Sequence, residues 1–167
     1  RYILKKSIKA AKEMGIDCYF GAEFEFYLFH TDEKGNPTDN PFDKAGYMDI
    51  AHQDKGENVR REICFHLLDM GIKPESSHHE EGPGQNEIDF RYSDALTAAD
   101  NATTFKSVVE AIAMGNGLYA DFSPKPLKDK SGNGMHINMS IRSDDNNDYW
   151  ESFMAGVLEH VEEMTAF

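Results

Sequence analysis

Four glutamates and one histidine lie in strand-like segments of this sequence, with spacings that could bring them to a common surface. Side chains alternate across a strand, so Glu23 and Glu25 of AEFEFYLF share one face. Glu80 ends SSHHE, Glu87 is in the polar phase of QNEIDFRY, and His136 is in the polar phase of GMHINMSI. An ExE pair alone is most often two solvated glutamates. A site is indicated because several separate strands each place polar, ligand-type side chains on one face.

Carboxylates gathered on one surface repel each other, and the repulsion raises some of their pKa values strongly unless cations intervene. Hard oxygen ligands with a single imidazole suit Mg²⁺ or Mn²⁺ better than zinc, whose structural sites prefer thiolate and imidazole. We therefore predict a site for two divalent ions. Such sites commonly orient phosphates and neutralise charge during phosphoryl transfer.

Other residues of suitable type lie near these five. His78, His79 and Glu81 flank Glu80, but a histidine beside a metal site is more often a hydrogen-bonded neighbour or a core group, and we expect that here. The glycine-rich KSGNGMH after DFSPKPL could present backbone N–H groups to an anion. A plain turn between strands is the alternative for that segment.

The composition limits the class of protein and its partners. Thirty acidic against 17 basic residues give a net charge of -13, which repels phosphate backbones and anionic lipids, so we expect neither nucleic acid nor membrane as a partner. A hydrophobic content of 40% over 167 residues suits one packed domain. Cys18 and Cys64 form no CxxC pair, which favours a reduced, cytoplasmic setting.

Apolar periodicity predicts the element order α, β, α, β, β, α, β, β, α. The predicted elements, in order, are a helix over 2–14 ended by Gly15, a strand over 16–29, a helix capped by Asp54 and ended by Gly71, strands over 72–79 and 85–92, a helix over 95–116 capped by Ser93 or Asp94, strands over 118–123 and 134–141, and a helix over 153–167. Residues 31–46 have turn chemistry and form the longest predicted loop. Short connections between neighbouring strands favour an antiparallel sheet flanked by helices, an α+β fold.

Taken together and in this order, GAEFEFYLF, SSHHEEGPGQNEIDFRY, SPKPL and GNGMHINMS resemble the catalytic domain of glutamine synthetase in its bacterial short form. The resemblance covers essentially the whole chain. It implies that residues 1–167 are part of a single catalytic domain with a curved antiparallel sheet. The family's N-terminal β-domain and the C-terminal part of the catalytic domain would then be absent.

The resemblance also implies roles for individual residues. One ion would be held by Glu25, Glu80 and Glu87, and the other by Glu23, His136 and a later glutamate that is not in this chain. The residues that match ATP contacts are Glu75, Asn138, Met139 and Ser140, and those that match contacts to the substrate glutamate are Ser131 and Gly132. The chain departs from the motif Asn-Gly-Ser-Gly-Met-His, since it has Ser131 and Asn133 where the family has Asn and Ser.

The implied reaction uses ATP to phosphorylate the γ-carboxylate of L-glutamate, after which ammonia displaces phosphate to give glutamine. The implied cofactors are two or more Mg²⁺ or Mn²⁺ ions, and the implied assembly is a homo-oligomer of stacked rings in the full-length parent. The fragment alone would be inactive. Two alternatives are a γ-glutamyl-amine or polyamine ligase of the same superfamily, and a non-catalytic metal-binding or structural homologue.

Overall fold

The computed structural model describes residues 1–50, 52–143 and 149–164, in which seven strands form one antiparallel sheet. The strands are β1 (Ile16–Thr31), β2 (Pro37–Pro41), β3 (Pro74–His79), β4 (Gln85–Phe90), β5 (Ser93–Asp94), β6 (Leu118–Asp121) and β7 (Met135–Ser143). The helices are α1 (Tyr2–Glu13), α2 (Glu57–Asp69), α3 (Ala95–Gly115), α4 (Trp150–Glu159) and α5 (Val161–Met164). The predicted α+β class is confirmed. Residues 165–167 of the predicted last helix lie outside the described residues.

Strand β1 organises the sheet because five other strands pair with it. Its aromatic-rich composition favours a strand, and its 16 residues give room for partners on both edges. β7 pairs along residues 16–24 and β6 along 27–30, while β4 pairs along 23–27. β3 extends the sheet beyond β4, and the predicted hairpin of these two strands is confirmed. The segments that carry the predicted metal ligands are thus neighbours in one sheet.

The hydrophobic core lies between one face of the sheet and helices α2 and α3. Phe24, Phe26 and Leu28 of β1 are buried on that face, as alternation predicts. Phe105 of α3 is fully buried, and its ring centroid lies 5.1 Å from that of Phe24. Burial of these side chains is the main term that stabilises the domain. Helices α2 and α3 therefore cover one face of the sheet, and Glu23 and Glu25 of β1 lie on the opposite face.

Two local predictions are wrong. Residues 31–46 contain β2, whose proline ends pair with β1 at an edge of the sheet, where a missing N–H is tolerated. Asp54 does not cap α2, since the helix begins after Gly56 without a side-chain cap. The Asp54 carboxylate instead binds the Arg60 guanidinium through two hydrogen bonds of 2.6 and 3.0 Å, and both side chains are buried.

Asp94 caps helix α3, as predicted. Its Oδ1 accepts hydrogen bonds from the backbone N–H groups of Leu96 and Thr97, each at 3.1 Å. We expect Asp94→Ala to lower the free energy of unfolding by about 1 kcal/mol, because two N–H groups of the first turn lose their partner. Asp94→Asn keeps an acceptor and should cost only a few tenths of that. Urea unfolding measures both losses, and equal losses would contradict the capping role.

The two cysteines are free, half-buried thiols. Burial raises the pKa of both Cys18 and Cys64, and Cys64 packs against the hydrophobic core. Among the described residues, none of the helices combines the length and the apolar composition needed to cross a bilayer.

Candidate metal centre

The glutamate face of β1 meets the polar face of β7 at Glu23. In the register of the two strands Glu23 stands opposite His136, and the His136 Nδ1 atom lies 3.0 Å from Glu23 Oε2. Asn138 donates from Nδ2 to Glu23 Oε1 at 2.6 Å. Glu87 of β4 offers an oxygen to the same place, so that ligand atoms of Glu23, Glu87 and His136 lie within 4.8 Å of one another.

A second group of ligand atoms forms where β3 meets β4. His78 stands opposite Glu87, and its Nε2 atom lies 2.8 Å from Glu80 Oε1 and 3.4 Å from Glu87 Oε2. Ligand atoms of these three residues also lie within 4.8 Å of one another. Glu87 therefore belongs to both groups and lies between them. The structure brings Glu80 and Glu87 together as predicted, and His78 is hydrogen-bonded to Glu80, as expected of a histidine beside the site.

Glu25 lies beside these groups and is already hydrogen-bonded. It stands opposite Glu87 in the pairing of β1 and β4. Its Oε2 atom accepts from Gln85 Nε2 at 2.8 Å and from the Gly134 N–H at 3.0 Å. Among the described residues, Glu25 is in neither of the two close groups of ligand atoms. Both of these bonds go to one oxygen, so the carboxylate is oriented by β4 and by the loop that precedes β7.

The acidic face has the electrostatics of a cation site. Burial raises the pKa of Glu87 to about 9, and the carboxylates of Asp89 and Glu80 add to the rise. Asp89 Oδ1 is a buried oxygen without a hydrogen-bond partner among the described residues. Each of the two groups offers two carboxylates and a single imidazole, and carboxylate oxygens are the ligands that suit Mg²⁺ or Mn²⁺. The donor set therefore fits divalent ions, whose charge would offset the burial and the repulsion that keep Glu87 protonated.

Binding of Mn²⁺ at pH 7 should release about one proton from this face. A carboxyl with a pKa of about 9 is protonated at pH 7, and a metal ligand must be deprotonated, so the affinity should rise by up to tenfold per pH unit below pH 9. Calorimetry in two buffers of different ionisation enthalpy counts the protons. Asp89→Asn removes a like charge, so fewer protons should be released. Binding without proton release in the unmodified chain would contradict this account of Glu87.

The predicted nucleotide contacts lie on two edges of the same sheet. Glu75 is exposed at an irregularity of β3, since Pro74 pairs with Phe90 while Ser76 already pairs with Asp89. Such a bulge changes the direction in which the Glu75 side chain leaves the strand. The other three residues lie on β7, where alternation places Asn138 and Ser140 on the His136 face and Met139 on the opposite face. Any contact from Met139 to a ligand on this face would therefore come from its backbone.

The loop before β7 is held against the acidic face by hydrogen bonds. The carbonyl of Ser131 accepts from the buried Tyr27 hydroxyl at 2.6 Å, and its Oγ donates to Glu81 at 2.8 Å. The Gly132 carbonyl accepts from Gln85 Nε2 at 2.9 Å. A Cβ at Gly132 would lie 2.6 Å from the Pro124 carbonyl oxygen, so only glycine fits.

Asn133 explains how the chain accommodates its departure from the family motif. Its Nδ2 atom donates to the backbone carbonyls of Asp121 and Ser123 at 2.9 and 3.0 Å, and its Oδ1 accepts from Gln85 at 3.2 Å. The amide therefore ties the loop to the end of β6 and to β4. The Ser131 hydroxyl is bound to Glu81, so its side chain is directed to the β3–β4 turn.

Two residues of this face were not predicted from the sequence as part of the site. Asp89 follows Glu87 by two residues, so alternation was a signal for it. Gln85 is likewise two residues before Glu87, but nothing in its type pointed to its role. It is fully buried and joins Glu25 to the loop that carries Gly132 and Asn133.

Together the antiparallel sheet, the helices α2 and α3 on one face and the carboxylates on the other define an α+β domain with an acidic face. The sequence model described as glutamine synthetase, catalytic domain, matches residues 1–167. The chain therefore belongs to the glutamine synthetase family. It is 47% identical to a glutamine synthetase of Clostridium saccharobutylicum over 99% of this chain and 40% of that protein. The enzyme of Thermus thermophilus is 45% identical, with the same coverage of both chains.

Solved structures agree with this assignment. A Plasmodium falciparum glutamine synthetase superposes with a TM-score of 0.84 at 27% identity, over 99% of this chain and 40% of that chain. A complex of GmaS with ADP superposes with a TM-score of 0.75 at 32% identity, over 86% of this chain and 34% of that chain. The chain thus spans about 40% of the length of the curated relatives it matches.

Proposed function

We propose that this chain forms part of the single catalytic domain of a glutamate–ammonia ligase, which makes glutamine from L-glutamate, ammonia and ATP through a γ-glutamyl phosphate. The observation that carries the proposal is the convergence of four glutamates and a histidine on one face of the sheet in a member of this family. The relatives at 44 to 47% identity are named glutamine synthetase, which supports ammonia rather than a larger amine as the second substrate.

Two divalent ions, Mg²⁺ or Mn²⁺, are proposed to bind at the five residues predicted from the sequence. Glu25, Glu80 and Glu87 would bind one ion. Glu23 and His136 would supply some of the ligands of the other ion. When bound, the ions would supply charge neutralisation for the phosphates during transfer. His78, at 2.8 Å from Glu80, would orient that carboxylate by a hydrogen bond.

The remaining predicted residues are proposed to bind the two larger substrates. Glu75, Asn138, Met139 and Ser140 would contact ATP, and the solved complex of the relative GmaS with ADP supports nucleotide binding. Ser131 and Gly132 would contact L-glutamate. Gly132 would do so through its backbone, in a loop that Gln85 and Asn133 keep beside Glu25. The protein would work in the cytoplasm as a homo-oligomer.

A chimeric enzyme tests this proposal. Residues 1–167 would replace the matching segment of the Clostridium saccharobutylicum relative, and phosphate release and glutamine formation would be measured with ATP, glutamate and ammonium. We expect turnover within about tenfold of the parent enzyme. Glu80→Gln in the chimera should reduce turnover by about 10²–10³-fold, the usual loss when a group that stabilises transition-state charge is removed. A folded chimera whose turnover is unaffected by Glu80→Gln would contradict the proposal.

A further inference from the structure

A buried polar network lies behind the acidic face, on the side of the sheet away from the metal ligands. Its centre is His79, the last residue of β3, whose side chain is fully buried. In the sequence His79 lies between His78 and Glu80. The His79 Nε2 atom lies 2.9 Å from Asp43 Oδ1, and its Nδ1 atom lies 2.6 Å from the backbone carbonyl oxygen of Glu80. A carboxylate and a carbonyl are both acceptors, so both ring nitrogens donate and the imidazole is charged.

Asp43 joins His79 to three other segments of the chain. Asp43 is buried, with 4% of its surface exposed. Its carboxylate accepts hydrogen bonds from the backbone N–H groups of Ala45, Lys55 and Gly84 at 3.2, 3.0 and 2.9 Å. Burial opposes ionisation of Asp43, but the His79 hydrogen bond and charge, with those of the backbone, outweigh burial and hold its pKa below the ordinary value. A single carboxylate therefore fixes the start of the 43–49 loop, the approach to α2, and the β3–β4 turn.

The backbone of His79 is held as well as its side chain. The N–H of Met48 donates to the His79 carbonyl at 3.0 Å, and Met48 adopts a left-handed φ of 59°. A non-glycine residue in this region is strained, and the strain persists only where surrounding contacts determine it. The adjacent Tyr47 ring lies edge-on to His78, with centroids 5.8 Å apart. The 43–49 loop thus contacts two consecutive residues immediately before Glu80.

A second buried ion pair lies close to Glu87, the carboxylate that belongs to both groups of ligand atoms. Arg60 pairs with Asp54 and also donates to Asn86 Oδ1 at 2.6 Å. Asn86 stands opposite His79 in the β3–β4 pairing and immediately precedes Glu87. Its own Nδ2 atom donates to the Gly84 carbonyl at 2.8 Å. Each of the two carboxylates therefore has a buried, hydrogen-bonded residue directly before it in the chain.

We propose that Asp43 and His79 are positioning residues that set the orientation of Glu80, and hence the affinity of the ion held by Glu80 and Glu87, without contacting that ion. The hydrogen bond from His79 to the Glu80 carbonyl carries the constraint, since it fixes the backbone from which the Glu80 side chain leaves the sheet. The ion proposed at Glu23 and His136 would be held by β1 and β7 and would not depend on Asp43 and His79. This inference rests on the proposed two-metal site.

The close grouping of Asp43, Asp54 and His79 is not itself a third metal site. Ligand atoms of these residues lie within 4.8 Å of one another, and all three residues are buried. Their ligand atoms are, however, already hydrogen-bonded: Asp43 to His79 and three N–H groups, and Asp54 to Arg60. The two acids are each neutralised by a cationic side chain, so the cluster carries no excess negative charge to attract a cation.

Titration of the chain with Mn²⁺, followed by electron paramagnetic resonance, tests the proposal. The titration should resolve two classes of Mn²⁺ site, and the class that His136→Asn weakens is the one at Glu23 and His136. We expect Asp43→Asn to weaken the other class by 10- to 100-fold, the usual effect of removing a group that orients a ligand, and to leave the His136 class within twofold. If Asp43→Asn does not fold, His79→Gln gives the same comparison, because Asp43 then keeps its three backbone N–H partners.

Val109→Ala is the control for a merely structural effect, because Val109 is fully buried in α3 on the helix side of the core. It should lower the melting temperature and leave both Mn²⁺ classes unchanged. Unchanged affinities in Asp43→Asn, or equal weakening of both classes, would overturn the positioning role while leaving the two-metal site intact. Absence of any Mn²⁺ binding by the unmodified chain would overturn the proposed metal site, and the positioning role with it.

Discussion

Mn²⁺ at 100 times its dissociation constant should raise the free energy of unfolding of this chain by about 2.7 kcal/mol for each of the two proposed ions. The folded state gathers the carboxylates and histidines into two groups that share Glu87, whereas the unfolded chain separates them. The ion therefore binds the folded state preferentially. Urea unfolding with and without Mn²⁺ measures the gain directly.

Glu87→Gln should abolish most of this gain, because Glu87 belongs to both groups of ligand atoms. The variant should be no less stable than the unmodified chain without metal, since the raised pKa means that the folded protein disfavours the ionised carboxylate. Glu110→Gln, at an exposed position of α3, is the matched control and should keep the full gain. Equal gains in all three proteins would show that Mn²⁺ does not bind at this face.

The isolated chain should show no glutamine formation above background, the largest effect we expect. In the described part of the chain, none of the five predicted ligands has an arginine or a lysine as a hydrogen-bond or ion-pair partner. Their partners are carboxylates, histidines, amides and backbone N–H groups. Phosphoryl transfer also needs donors that stabilise the developing charge, and loss of one such donor already costs about 10²–10³ in rate.

Phosphate release and glutamine formation with ATP, glutamate, ammonium and Mg²⁺ measure this directly. Glu25→Ala serves as the control for contaminating enzyme, because any activity that survives it does not come from this chain. Turnover well above that control would mean that 167 residues suffice for catalysis, and the interpretation of the chain as an incomplete catalytic domain would be wrong.

The parts of the site that were predictable from the sequence depend on local alternation. The phase of AEFEFYLF placed Glu23 and Glu25 on one face, and the phase of GMHINMSI placed His136 on its polar face. A strand with one face against a core has a strongly specified register. The antiparallel sheet and the α+β class followed from short connections between strands, and both are confirmed.

The parts that were not predictable depend on long-range contacts. The edge strand β2 has the composition of a turn, and only its pairing with β1 makes it a strand. Asp54 has the local sequence of a helix cap, but its carboxylate pairs with the buried Arg60 instead of with the first turn of α2. The register that sets Glu87 opposite both Glu25 and His78 comes from three strands at once, and no local pattern encodes it.

Anomalous diffraction from crystals of the chain grown with Mn²⁺ tests most directly whether this face binds two divalent ions. We expect two Mn²⁺ peaks, one coordinated by Glu25, Glu80 and Glu87, and one between Glu23 and His136. A single peak, no peak on this face, or Mn²⁺ bound only by Asp43, Asp54 and His79 would contradict the two-metal site.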